Sequence, residues 1–170
     1  MTYQSLLEYL QSLPFAVAIL EGESWFPLFE SLHVLAITLV VGTIGIVDLR
    51  LLGWASLDRS VGRVSDSVLP VTWCAFALAV ATGALLFCSN ATVYGHNTFF
   101  IIKFVFIGLA GLNMLVFQLF TRRDLQIWGD AAHPPAAARA AGALSLLFWV
   151  AVVLCGRWVG FTLKTPGLGG

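Results

Sequence analysis

The run FPLFESLHVLAITLVVGTIGIVDLRLL, residues 26–52, is apolar or small throughout except for Glu30, His33, Asp48, Arg50 and a few hydroxyl side chains. An α-helix rises about 1.5 Å per residue, and the hydrocarbon core of a bilayer is about 30 Å thick, so a spanning helix needs about 20 such residues. Residues 26–52 meet that length. Residues 68–89, 98–120 and 140–163 do so as well. Across the 170 residues, 59% are hydrophobic and 11% charged, against about 45–50% and about 25% in soluble domains. That excess must face lipid. The expected fold is an all-α integral membrane protein, an antiparallel up-and-down four-helix transmembrane bundle. Residues 1–170 form one domain with short loops and no room for a separate soluble catalytic unit.

The segment before the first span is not a cleaved signal peptide, because it contains Glu8, Glu21 and Glu23 and no Lys or Arg, whereas such a peptide needs a basic start. Residues 5–20 carry apolar side chains at helical spacing, broken by Pro14, and are too short to span. They are expected as an interfacial helix, with Tyr3, Tyr9 and Trp25 at the headgroup level.

Lys and Arg gather in short cytoplasmic loops. Arg50 stands at the end of the first span with Arg59 and Arg63 after it, Arg122, Arg123 and Arg139 follow the third, and the other side has only Lys164 outside the spans. Both termini and the 90–97 loop are therefore expected on the non-cytoplasmic side. A net charge of zero leaves no basic field for nucleic acid.

Cys74, Cys88 and Cys155 have no C-x-x-C spacing and read as small buried apolar residues, although Cys88 and Cys155 fall towards the same side. Asn90-Ala91-Thr92 is a glycosylation acceptor only in a eukaryotic host. Each span has a strip of small residues, such as Thr38, Gly42 and Gly45 in the first, Ala75, Ala79 and Gly83 in the second, Gly108 and Gly111 in the third, and the alanines of 136–143. Such strips let helices approach closely in lipid, within one chain or in a homo-oligomer.

Polar residues inside spans carry the functional reading, since a charge in hydrocarbon costs about 2.5 kcal/mol or more and must find a partner, the bundle interior or water. At 100° per residue, Glu30, His33, Thr38, Gly45 and Asp48 share an arc of roughly 140°. His33, Lys103 and Arg157 lie at a common depth of roughly 8 to 9 Å from the outer boundary. Glu30, His33, Lys103 and Arg157 are thus expected to meet as an outer-side polar cluster. Asp48, Arg50 and Asn113 read as structural polar residues.

Several chemistries fit such a cluster. Glu30 paired with Lys103 or Arg157 is a clasp that fixes helix register, as expected of a non-catalytic accessory or assembly subunit. Lys103 and Arg157 also suit a quinone headgroup, another anionic amphiphile, or the propionates of haem b, with His33 as an axial ligand and His96 on the same side. Met114, about 16 Å deeper, is no partner for His33. A metal site would use His33, His96 and Glu30, with Glu21 or Glu23 nearby, against two opposing cations. A proton or ion path would run from His33 towards Asp48 with only Thr38 and Asn113 between. The internal repeats and broken helices common in carriers are missing. So are a nucleophile-base-orienter set, a phosphate loop and H-E-x-x-H. The isolated chain is not expected to be an enzyme, and His133 reads as a solvated loop residue.

Glu30-Ser31-Leu32-His33, then Asp48-Leu49-Arg50-Leu51-Leu52-Gly53, resemble the opening of an uncharacterised family of bacterial four-span inner-membrane proteins. The similarity extends through Asn97 to Lys103, Ala110-Gly111-Leu112-Asn113 and Gly156-Arg157-Trp158. It implies the topology and an inner-membrane location, but no activity or cofactor. Where the family often has His at the end of the third span, this chain has Gln118, which counts against a haem ligand on the cytoplasmic side. The reading is a membrane protein whose outer cluster engages an anionic or redox-active ligand, or a partner subunit carrying one. A metal-ion or proton transporter is a further alternative.

Overall fold

The computed structural model describes residues 2–121, 128 and 134–162; Arg122, Arg123, His133 and Lys164 lie outside the described residues. Two short helices, α1 (Tyr3–Gln11) and α2 (Pro14–Glu21), precede the first long helix, α3 (Trp25–Leu52). After it come α4 (Val61–Ser89), the short α5 (Ala91–Gly95), α6 (Thr98–Val116) and, as the last described helix, α7 (Ala136–Thr162). The third span runs on from α6 through a π-helical turn at Phe117–Thr121. Four of these helices are long and apolar enough to cross a membrane.

Local chemistry sets the helix ends. At the end of α3, Gly53 adopts φ 76°. Its N–H bonds the Arg50 carbonyl at 3.1 Å, while the Trp54 N–H reaches back to Leu49 at 3.0 Å. That left-handed turn suits glycine, which has no Cβ to clash. Ser60 caps α4 by accepting the Arg63 N–H at 3.3 Å. The helix consequently begins seven residues before the apolar run that starts at Val68, and it carries Pro70 in its interior. Val61 and Val64 of this added stretch are buried, so tertiary packing extends the helix where hydropathy alone does not. The N-terminal segment is two helices, because Pro14 opens α2 at a position that needs no N–H donor.

The most extensive packing joins α3 to α4, then α6 to α7, then α3 to α7, whereas α4 and α6 form no extensive interface with each other. Consecutive long helices run antiparallel, so the bundle is the order α4, α3, α7, α6 with a seam between its two outer members. Small side chains fill the contacts: Ala36, Ala75, Ala110, Ala138 and Gly142 are buried. At the Asp48 end, Leu51, Val61 and Ala138 form a buried cluster backed by Val47, Phe117 and Trp128.

Not every small residue serves packing. Gly42, Gly108 and Gly111 face open space. Nor is the polar arc of α3 a single interior face, since Glu30 and Thr38 are exposed while Asp48 is buried. Thr38 satisfies its own hydroxyl by donating to the Val34 carbonyl at 2.9 Å, so it has no need of an interior partner.

The N-terminal helices pack at the Glu30 end of the bundle. Tyr3 donates from its hydroxyl to the Gly95 carbonyl at 2.9 Å, and Gln11 accepts from the Thr92 hydroxyl at 2.7 Å. Both bonds tie α1 to α5, while α2 lies against α4 and α3.

Candidate functional site

His33 projects from α3 towards α4. Its Nδ1 stands 3.0 Å from Thr82 Oγ1, and the Thr82 hydroxyl itself donates to the Leu78 carbonyl at 2.7 Å. With that hydrogen committed, Thr82 is left to accept from Nδ1, and the Ala79 backbone carbonyl is a further hydrogen-bond partner of the ring. Gly83 lies directly beneath the ring, where a Cβ would come within 2.9 Å of Cε1.

Lys103 enters from α6 and lies against α7. Its Nζ would be 3.7 Å from a Cβ built at Gly156, and Cys155 of that helix lies within electrostatic reach. It is half-buried and lies within electrostatic reach of His33. No hydrogen bond or ion pair within 4.0 Å joins Lys103 to another described residue.

The other two members of the expected cluster turn elsewhere. Glu30 is exposed and faces Tyr94 of α5, whose hydroxyl is pushed above its ordinary range, first by burial and then by the Glu30 charge. Arg157 is exposed, with its guanidinium 5.6 Å from the centre of the Phe161 ring. No ion pair links any of Glu30, Lys103 and Arg157. The direct ion pairs that a polar clasp would require are not formed.

His96 engages different partners from His33. Its Nδ1 is 2.8 Å from the Thr92 carbonyl, which makes it the donor there, and its ring meets Tyr3 edge-on at 5.9 Å. Among the described residues no three His, Cys, Asp or Glu side chains gather to hold a metal, so Glu30, His33 and His96 do not form a shared site. Glu21 and Glu23 are exposed. Cys74 is exposed, Cys88 and Cys155 are half-buried, and all three are free.

Asp48, Arg50 and Asn113 lie towards the opposite end. Arg50 is fully buried and donates from Nε to the Arg59 carbonyl at 2.8 Å, which anchors the loop after α3. Asn113 donates from Nδ2 to the Ala141 carbonyl at 2.9 Å and so ties α6 to α7. Asp48 is buried within hydrogen-bonding reach of Ser145.

Two contributors at the Glu30 end escape a reading of the sequence. Thr82 looks like any small residue of a span, yet it orients His33. Tyr94 belongs to an aromatic stack in which its ring is 5.5 Å from Phe100 and Phe100 is 5.4 Å from Phe87. That stack joins α5 and α6 to α4. The only advance signal was the density of Phe near the start of the third span.

No curated protein and no solved structure matches the chain. The family of unknown function DUF6644 matches residues 17–162, an interval that includes the four long helices and Glu30, His33, Lys103 and Arg157. The chain belongs to that family, as a multi-pass membrane protein.

Proposed function

We propose that the chain is a membrane-embedded binding protein whose outer end takes the acceptor-bearing head of an amphiphile, anionic or quinone-like, between Lys103 and His33. One observation carries this reading. Lys103 presents hydrogen-bond donors within the depth of a span and has no hydrogen-bond or ion-pair partner among the described residues. Unpaired ionisable groups at that depth are costly, and they mark ligand sites more often than they mark packing.

His33 adds direction. Thr82, Gly83 and the Ala79 carbonyl hold its ring within electrostatic reach of Lys103, so that a ligand head between the two meets both. A quinone head suits this pair because its oxygens accept when oxidised and donate when reduced. Arg157, exposed on the same helix as Gly156, supplies a second positive charge near the entrance for an anionic head. Haem b is the weaker candidate, since His96, the other histidine among the described residues, is engaged with Thr92 and Tyr3.

The test is the content of the purified, detergent-solubilised protein, read by solvent extraction with mass spectrometry and by optical spectra before and after dithionite. A quinone or anionic amphiphile near one per chain in the wild type, and several-fold less in Lys103→Met, is the expected result. Equal content in both proteins removes the reading. A Soret band that shifts on reduction and vanishes in His33→Ala replaces it with haem binding.

A further inference from the structure

At the Asp48 end, the four long helices line a partly open cavity of about 230 Å³. Its wall is mostly hydrocarbon and aromatic, with rings from Trp73, Phe76, Phe117 and Trp149, and it carries a few neutral polar side chains such as Thr72 and Asn113. One acid interrupts it. Asp48 lines the cavity while only 4% exposed, and its Oδ2 is shut away from the surface without a hydrogen-bond partner. Ser145, which also lines the cavity, is within hydrogen-bonding reach of the same carboxyl. A carboxyl oxygen shut into the wall of a largely apolar cavity without a hydrogen-bond partner is costly unless a compensating charge comes to it.

We propose that this cavity is a binding site for a lipophilic ammonium, meaning a molecule with one ring or an equivalent hydrocarbon body and a single cationic nitrogen. The size fits, because a cavity of about 150 Å³ already holds benzene. Asp48 supplies the counter-charge, and aromatic faces attract a cation through their quadrupoles. Strongly hydrated ligands are disfavoured, since the wall offers too few polar groups to replace their water. Entry is lateral, through the seam where α4 and α6 form no extensive interface. Trp73 and Met114 line the cavity and are still 54% and 39% exposed on the outer face. The site shares no residue with the Lys103 and His33 pair, so the two readings stand or fall separately.

The experiment is titration of the full chain in nanodiscs with benzyltrimethylammonium, followed by calorimetry and by tryptophan fluorescence. Neopentylbenzene, its uncharged isostere, and phenol, a neutral donor, are titrated in parallel. Saturable binding of the ammonium is expected, at least tenfold weaker in Asp48→Asn, with neopentylbenzene indifferent to that change. Ala110→Leu, which keeps the carboxyl and fills the cavity, is expected to weaken binding tenfold as well. Unsaturable partitioning into the wild type would overturn the proposal, as would equal affinity in Asp48→Asn. Binding of phenol in an Asp48-dependent way without binding of the ammonium would also overturn it. Should Asp48→Asn fail to fold, an undiminished affinity in Ala110→Leu is the result that sinks it.

Discussion

The ring of His33 lies so close over Gly83 that a Cβ on the glycine would stand 2.9 Å from Cε1 and 3.4 Å from Nδ1. The glycine is there for room, in the middle of a helix where it otherwise costs about 0.5–1 kcal/mol relative to Ala. Gly83→Ala should push the ring off Thr82 and destabilise the protein by about 1–3 kcal/mol, as overpacking does. Removing the ring relieves the clash, so Gly83→Ala combined with His33→Ala should lose less than the two single losses added together. Thermal unfolding of the four proteins in one detergent measures this coupling. Strict additivity would mean that the ring and the glycine do not constrain each other.

A second glycine makes a different kind of contact. A Cβ at Gly142 would sit 3.0 Å from the Asp48 carbonyl oxygen and 3.0 Å from Leu51 Cβ, and backbone cannot swing aside as a side-chain tip can. Gly142→Ala should therefore part α3 from α7 and lower the unfolding temperature. Gly108 meets nothing within 4 Å, so Gly108→Ala should be neutral or stabilising by up to about 1 kcal/mol through helix propensity. If both substitutions had the same effect, close approach would not be the reason for Gly142.

These contrasts mark what the sequence could and could not reveal. Four long apolar runs were legible because lipid permits little else, and the caps at Ser60 and Gly53 are written in residue types. Partner choice was not legible. Gly42, Gly108 and Gly111 look as suited to close packing as Gly83 and Gly142, yet they face open space. Counting residues along a helix gives depth and leaves the relative rotation of neighbouring helices open. His33 and Lys103 do come within electrostatic reach, whereas Glu30 turns to Tyr94 and Arg157 to Phe161 at similar heights. The cavity beside Asp48 depends on the seam between α4 and α6, a long-range feature that no local pattern encodes.

Tyr94 offers a pH test outside the spans. Burial first, and the Glu30 charge second, raise its hydroxyl above the ordinary value of 10.0. The folded protein then holds this proton at pH values where the unfolded chain releases it, so stability is unaffected below about pH 10 and falls as pH rises through the folded midpoint. Absorbance titration near 295 nm, taken as the difference between wild type and Tyr94→Phe, should place the midpoint above 10.0. Glu30→Gln should bring it down part of the way. An unshifted midpoint in that variant would remove the Glu30 contact and leave burial alone.

Asn113 reports on how α6 is held. Its amide donates to the Ala141 carbonyl at 2.9 Å, and hydrogen bonds between helices in a membrane contribute about 0.6 kcal/mol on average and up to about 2 kcal/mol. Asn113→Ala should lower stability by an amount in that range. Asn113→Asp should cost more, because the carboxylate has no hydrogen to offer the carbonyl and brings a charge into the span. The ordering, wild type above Ala above Asp, is the discriminating result in a thermal or denaturant titration. An Asp variant as stable as the Ala variant would point to water reaching position 113 through the seam beside α6, and the Ala141 bond would then count for little.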